Sequence, residues 1–69
     1  MISDLARKQL ISLRKDKKKT QLEMAKILGY ESSKAYYELE SGKTALKVEH
    51  LEKVSNFFGI DPSYFFIQQ

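Results

Sequence analysis

The run Thr20-Gln21-Leu22-Glu23 constrains this chain more than any other feature. It has the form of a capping box: the Thr20 hydroxyl can accept from the Glu23 amide, and the Glu23 carboxylate can reach back to Thr20. A helix over about residues 20–28 therefore starts sharply. Met24, Ala25, Ile27 and Leu28 supply its buried face, and Gly29 ends it in the left-handed conformation. Tyr30 and Glu31 form a turn. Ser32 or Ser33 then caps a second helix over about residues 33–41, with Tyr36 and Leu39 as its apolar pair and Gly42 as its stop. Lys34, Tyr37, Glu38 and Ser41 fall on its other faces. Ala25 is small where the second helix must approach closely.

The flanking segments are helical too. Leu5, Ala6, Leu10 and Leu13 make an apolar stripe on a helix from about Asp4 to Asp16, with Ser3 as N-cap. Lys15, Lys17, Lys18 and Lys19 mark its frayed C-terminal end, where cations meet the negative pole. They serve either to track a flanking phosphate or only as a solvated helix end. Lys43 to Lys47 is a loop. Val48, Leu51, Val54 and Phe58 form the core stripe of a fourth helix that Gly59 ends. Asp61-Pro62 opens a short fifth helix with Tyr64 and Phe65 facing inward. Val, Ile and Thr are sparse and never alternate over a strand's length. The expected class is all-α, one compact five-helix domain over residues 1–69.

That size leaves no room for a deep substrate cavity. With no Cys, a single His and no carboxylate cluster at ligand spacing, neither a disulfide nor a metal site is expected. No cofactor or small-molecule substrate is indicated. No nucleophile–base pair or phosphate loop points to an enzyme. No apolar run approaches the roughly 20 residues of a membrane span, and Met1 to Arg14 lacks a signal-peptide apolar segment. The expectation is a cytoplasmic protein away from membranes.

The charge is unevenly placed. Residues 1–47 hold eleven Lys/Arg and six acids, giving +5; residues 48–69 hold one Lys and three acids, giving −2. An anionic partner for the N-terminal part fits this asymmetry. A helix is the right width for the major groove, and its N-terminal residues can reach base edges while its free amides attract phosphate. Periodicity alone, however, admits any helical hairpin over Thr20–Gly42.

Leu13-Arg14, Thr20-Gln21-Leu22-Glu23-Met24-Ala25, Leu28-Gly29, Glu40-Ser41-Gly42-Lys43, and Leu51, Val54, Phe58-Gly59-Ile60-Asp61, taken in order, strongly resemble the phage-repressor-type (lambda-repressor-like, XRE-family) helix-turn-helix. The resemblance covers about residues 10–66. It implies a sequence-specific transcription regulator, of the repressor kind, that binds double-stranded DNA as a homodimer on palindromic operators. A helical adaptor or antitoxin-like partner on the same scaffold is the alternative.

Residue by residue, the resemblance makes Gln21 a phosphate contact that also braces the recognition helix. Arg14 and Glu40 match a buried ion pair between the first and third helices. Ser32, Ser33 and Lys34 match base-reading positions, where Lys34 can donate to guanine and Ser33 can instead serve only as a cap. Tyr37 and Glu38 lie one turn on. Tyr37 can meet a phosphate or a thymine methyl; Glu38 can accept from cytosine N4 or repel phosphate. Tyr36 sits at a core position. Ser41, Lys43 and Thr44 match a backbone-contacting loop. Phe57, Phe66 and Ile67 are surplus apolar surface, fit for a dimer contact or simple self-coverage. His50 is expected at the surface, away from the groove face.

Two positions depart from the family pattern. The span from Gly29 to Glu40 is one residue longer than the commonest form; the extra residue falls in the turn, near Tyr30-Glu31-Ser32, so the base-reading register admits a shift of one position. Lys19 stands where the family usually has an apolar residue, and adds a cation beside the DNA-facing end of the second helix.

Overall fold

The computed structural model describes residues 4–66; Ser3, the expected first N-cap, and Ile67, an expected dimer contact, lie outside them. Four α-helices, α1 (Asp4–Asp16), α2 (Gln21–Ile27), α3 (Ser33–Ser41) and α4 (Val48–Phe58), are followed by a 3-10 helix, Pro62–Phe66. No strand occurs among the described residues. The expected fifth α-helix is thus only a 3-10 helix. Asp61 Oδ1 accepts from the Ser63 amide at 2.9 Å and Asp61 O from the Tyr64 amide, and this tight turn is never extended into an α-helix.

α2 begins as its residues dictate. The Glu23 amide donates to Thr20 Oγ1 at 3.1 Å, and the Thr20 amide donates to Glu23 Oε1 at 2.8 Å. These two bonds satisfy donors that a helix start leaves open. At the other end Gly29 takes φ +88. Its amide donates to Lys26 O and that of Tyr30 to Ala25 O, a Schellman motif that turns the chain toward α3.

α1 ends in the same way. The Lys18 amide donates to Lys15 O and the Lys19 amide to Arg14 O, with Lys18 at φ 56. The expected frayed end is therefore a closed Schellman motif, in which a lysine holds the left-handed place that Gly29 holds after α2. Lys17 Nζ lies 6.0 Å from the centre of the Phe58 ring.

The core gathers Ala6, Leu10 and Leu13 of α1, Met24, Ala25 and Leu28 around α2, Tyr36 and Leu39 of α3, Leu51 and Val54 of α4, and Phe65. Leu46 joins it from the loop before α4. Val48, expected in the core stripe, is 57% exposed instead. The first turn of α4 stands clear of the core, and the buried face follows Leu51, Val54 and Ser55. Gln9 Nε2 donates to Tyr64 O at 3.4 Å, tying the 3-10 helix to α1.

Candidate nucleic-acid interface

Glu40 is the point where three elements meet. Arg14 of α1 donates to it through Nε, 2.6 Å from Oε2, and through Nη2, 3.3 Å from Oε1. Gln21, the first residue of α2, donates through Nε2 to Oε1 at 3.1 Å. Arg14 Nη1 also donates to Lys19 O at 3.1 Å, holding the α1–α2 connection. The Arg14 and Glu40 side chains are only 16% and 8% exposed. A planar guanidinium can make both bonds at once, which fixes geometry as well as charge.

The electrostatics follow from this arrangement. Burial works against the Glu40 carboxylate, but the hydrogen bonds from Arg14 and Gln21, with the Tyr36 hydroxyl nearby, outweigh it and hold its pKa below the usual range. The Glu40 bond in turn raises Arg14 against the opposing effect of burial. The Tyr36 phenol is pushed up, first by burial and then by the neighbouring Glu40. Its Oη is buried and meets no acceptor at good hydrogen-bonding geometry. Tyr36 is fully buried, as its core position requires.

The C-terminal end of α3 is closed by α1 and by its own loop. Arg7 Nε donates to Leu39 O at 3.0 Å, one of the carbonyls that a helix end leaves without an internal partner. Ser41 Oγ donates to Glu38 O at 3.3 Å, and the Thr44 amide donates to the same carbonyl at 3.0 Å. Gly42 turns the chain at φ +87. Ser41 and the Thr44 backbone thus have a structural task. The role of Arg7 was invisible in sequence, because no local pattern links it to a carbonyl 32 residues away.

The opposite end and the outer face of α3 are open. Ser32 occupies the N-cap position with extended backbone but makes no side-chain cap bond, so neither Ser32 nor Ser33 is committed to capping. Ser32, Ser33, Lys34 and Tyr37 are exposed, with Tyr37 at 54%; Glu38 is half-buried. Lys43 and Thr44 in the following loop are exposed, and Gln21 and Lys19 are half-buried. The turn that leads into α3 spans residues 28–32. Of the sequence-derived site residues, the structure joins Gln21, Arg14 and Glu40 directly. Ser32, Ser33, Lys34, Tyr37, Glu38, Ser41, Lys43 and Thr44 lie along α3 and its flanks, Lys19 lies in the α1–α2 connection, and Phe57 and Phe66 lie on α4 and the 3-10 helix.

His50 is not the plain surface residue expected. It is half-buried, with Nε2 3.1 Å from Tyr30 Oη and Nδ1 accepting from the Lys47 amide at 2.9 Å. Its position three residues after the α4 N-cap could have suggested the second bond, but not the first. Phe57 and Phe66 are exposed, at 57% and 50%. Phe57 walls an open groove with Lys19, Glu23, Lys26 and Ile27.

Among the described residues no group of His or acidic side chains could hold a metal ion, and no helix is long and apolar enough to cross a membrane. Residues 10–65 match the family model described as helix-turn-helix. No curated protein and no solved structure matches the chain. With the match spanning α2, the turn, α3 and the elements that brace them, the chain belongs to the helix-turn-helix family of the XRE, or lambda-repressor-like, type, a family of DNA-binding regulatory domains.

Proposed function

We propose that this chain is a repressor that reads an operator half-site by placing the N-terminal end of α3 in the major groove. The observation that carries this reading is the contrast between the two sides of α3. One side is locked through Glu40 to Arg14 and Gln21, while Ser32, Ser33, Lys34 and Tyr37 project outward. A rigidly held helix with a polar, exposed amino end is what base reading demands.

In this reading Ser32, Ser33, Lys34, Tyr37 and Glu38 meet base edges. Gln21, Ser41, Lys43, Thr44 and Lys19 meet phosphates, which set affinity and salt dependence but carry no sequence information. The operator is palindromic and the DNA-bound form is a homodimer, with Phe57 and Phe66 offering the exposed apolar surface for the contact. The protein acts in the cytoplasm, and residues 1–69 form one domain.

Titration of a mixed-sequence duplex at rising salt tests the reading. Affinity should fall steeply, with a log–log slope set by the number of phosphates neutralised. A chain that ignores duplex DNA at low salt would instead be the adaptor, engaging a protein through Phe57 and Phe66.

A further inference from the structure

His50 lies on α4, yet its ring is held at both nitrogens, and one of the two partners belongs to the turn that introduces α3. The Lys47 amide can only donate, so Nδ1 must carry the lone pair. The proton of the neutral ring is then on Nε2, and Tyr30 Oη accepts it. An ammonium cannot return the bond to the His50 amide, so Lys47 supplies no reciprocal cap, and the His50 side chain satisfies the N-cap amide of α4. Tyr30 is half-buried against the core, its amide is bound to Ala25 O at 2.8 Å, and it stands two residues before the α3 N-cap.

We infer that His50 is a positioning residue for the DNA-reading helix: neutral, it pins Tyr30 and so the entry to α3, and on protonation it lets go. This inference rests on the DNA-binding reading above. Proton uptake at Nδ1 turns the acceptor into a donor that faces the Lys47 N–H, and the two repel. Nε2–H survives protonation, so Tyr30 is released only because the ring swings away from Lys47 and carries Nε2 off Tyr30 Oη. The new charge also sits at the positive N-terminal end of α4. On its own helix and cap the ring feels Glu49, which favours the charged form, and Lys47 and Lys53, which oppose it. Across the fold it faces the Tyr30 phenol. Glu23 and Lys26, on the neighbouring α2, are not among the groups that act on it.

The sign follows directly. Burial first, then the two lysines, hold the folded-state pKa below the ordinary 6.5. The pinned arrangement is therefore fully present above about pH 6.5, and it is lost as the pH falls through the lower, folded value. Ordinary DNA electrostatics run the other way, because added positive charge strengthens binding to phosphates. A loss of affinity on acidification thus marks the His50 device.

The test uses the full chain and a duplex that it has enriched from a random pool, with affinity measured from pH 8 to pH 5. Wild type should weaken by about three- to tenfold, the worth of one hydrogen bond. His50→Gln keeps a neutral acceptor for the Lys47 amide and should lose the acid limb. Tyr30→Phe removes only the hydroxyl. It should bind more weakly at pH 8 and show a flattened profile. In the free protein, the amide resonances of Ser32, Ser33 and Lys34 should move with the same midpoint as the His50 ring. A His50→Gln profile that keeps the wild-type acid limb would overturn the inference, as would α3 amides that ignore the His50 titration. Failure to enrich any duplex would instead overturn the DNA-binding reading, and the amide shifts alone would then decide the coupling.

Discussion

Arg14 Nε and Glu40 Oε2 lie 2.6 Å apart, joining residues 26 positions distant in the chain and fixing α3 against α1. The charges are largely withdrawn from water, at 16% and 8% side-chain exposure. Such a pair contributes little net stability relative to apolar residues, because desolvation offsets attraction. Removing one partner is costly, because the other charge is left buried. Glu40→Ala should therefore destabilise the fold by about 3–5 kcal/mol, enough to unfold a marginal domain. Urea denaturation measures this. A cost below about 1 kcal/mol would place the pair with exposed ion pairs. Loss of DNA binding in this variant should track unfolding.

Acid should act on the same carboxylate. The Glu40 pKa is held below its ordinary value of 4.5. Its contribution is thus present above about pH 4.5, and it is lost as the pH falls through the depressed value. Melting temperature should drop steadily below that point, and Glu40→Gln should start lower but fall less steeply. Parallel pH profiles for the two proteins would show that other groups drive acid unfolding; Glu23 and Asp61, lowered by hydrogen bonds to Thr20 and Ser63, are the candidates.

Lys18 holds φ 56 in a motif that glycine fills after α2. A side chain in that conformation costs about 1–2 kcal/mol, partly offset by the freedom that glycine gains in the unfolded chain. Lys18→Gly should raise stability by about 0.5–1 kcal/mol, or several degrees of melting temperature for a chain this size. Differential scanning calorimetry would detect it, and a lower melting point would show that the lysine is not strained.

Lys34 and Gln21 should separate base reading from phosphate contact. Lys34→Ala should weaken operator binding by about 1–3 kcal/mol and relax selectivity at one base pair. Gln21→Ala should weaken binding evenly across sequences. It should also cost some stability through the lost bond to Glu40, which is 3.1 Å long in the native protein. Binding curves on a panel of singly substituted duplexes distinguish the two patterns. An unchanged preference in Lys34→Ala would remove that residue from the base-reading set.

Local signals in the sequence were enough for the helices. The Thr20–Glu23 box and Gly29 bound α2 because caps act within one turn. The Arg14–Glu40 pair came from family resemblance and matches the structure. What escaped was either non-local or a matter of degree. Arg7 on Leu39 O and Tyr30 on His50 join residues with no shared local pattern. Val48 has helical spacing to Leu51, but periodicity cannot say where the core ends. Asp61-Pro62 announces a helix start without telling whether 3-10 or α geometry follows.

Selection of bound duplexes from a random pool tests the central claim most directly. A chain whose α3 reads bases as a dimer should enrich two inverted half-sites, about one helical turn apart. A bound fraction with the same base composition at every position as the input would contradict it.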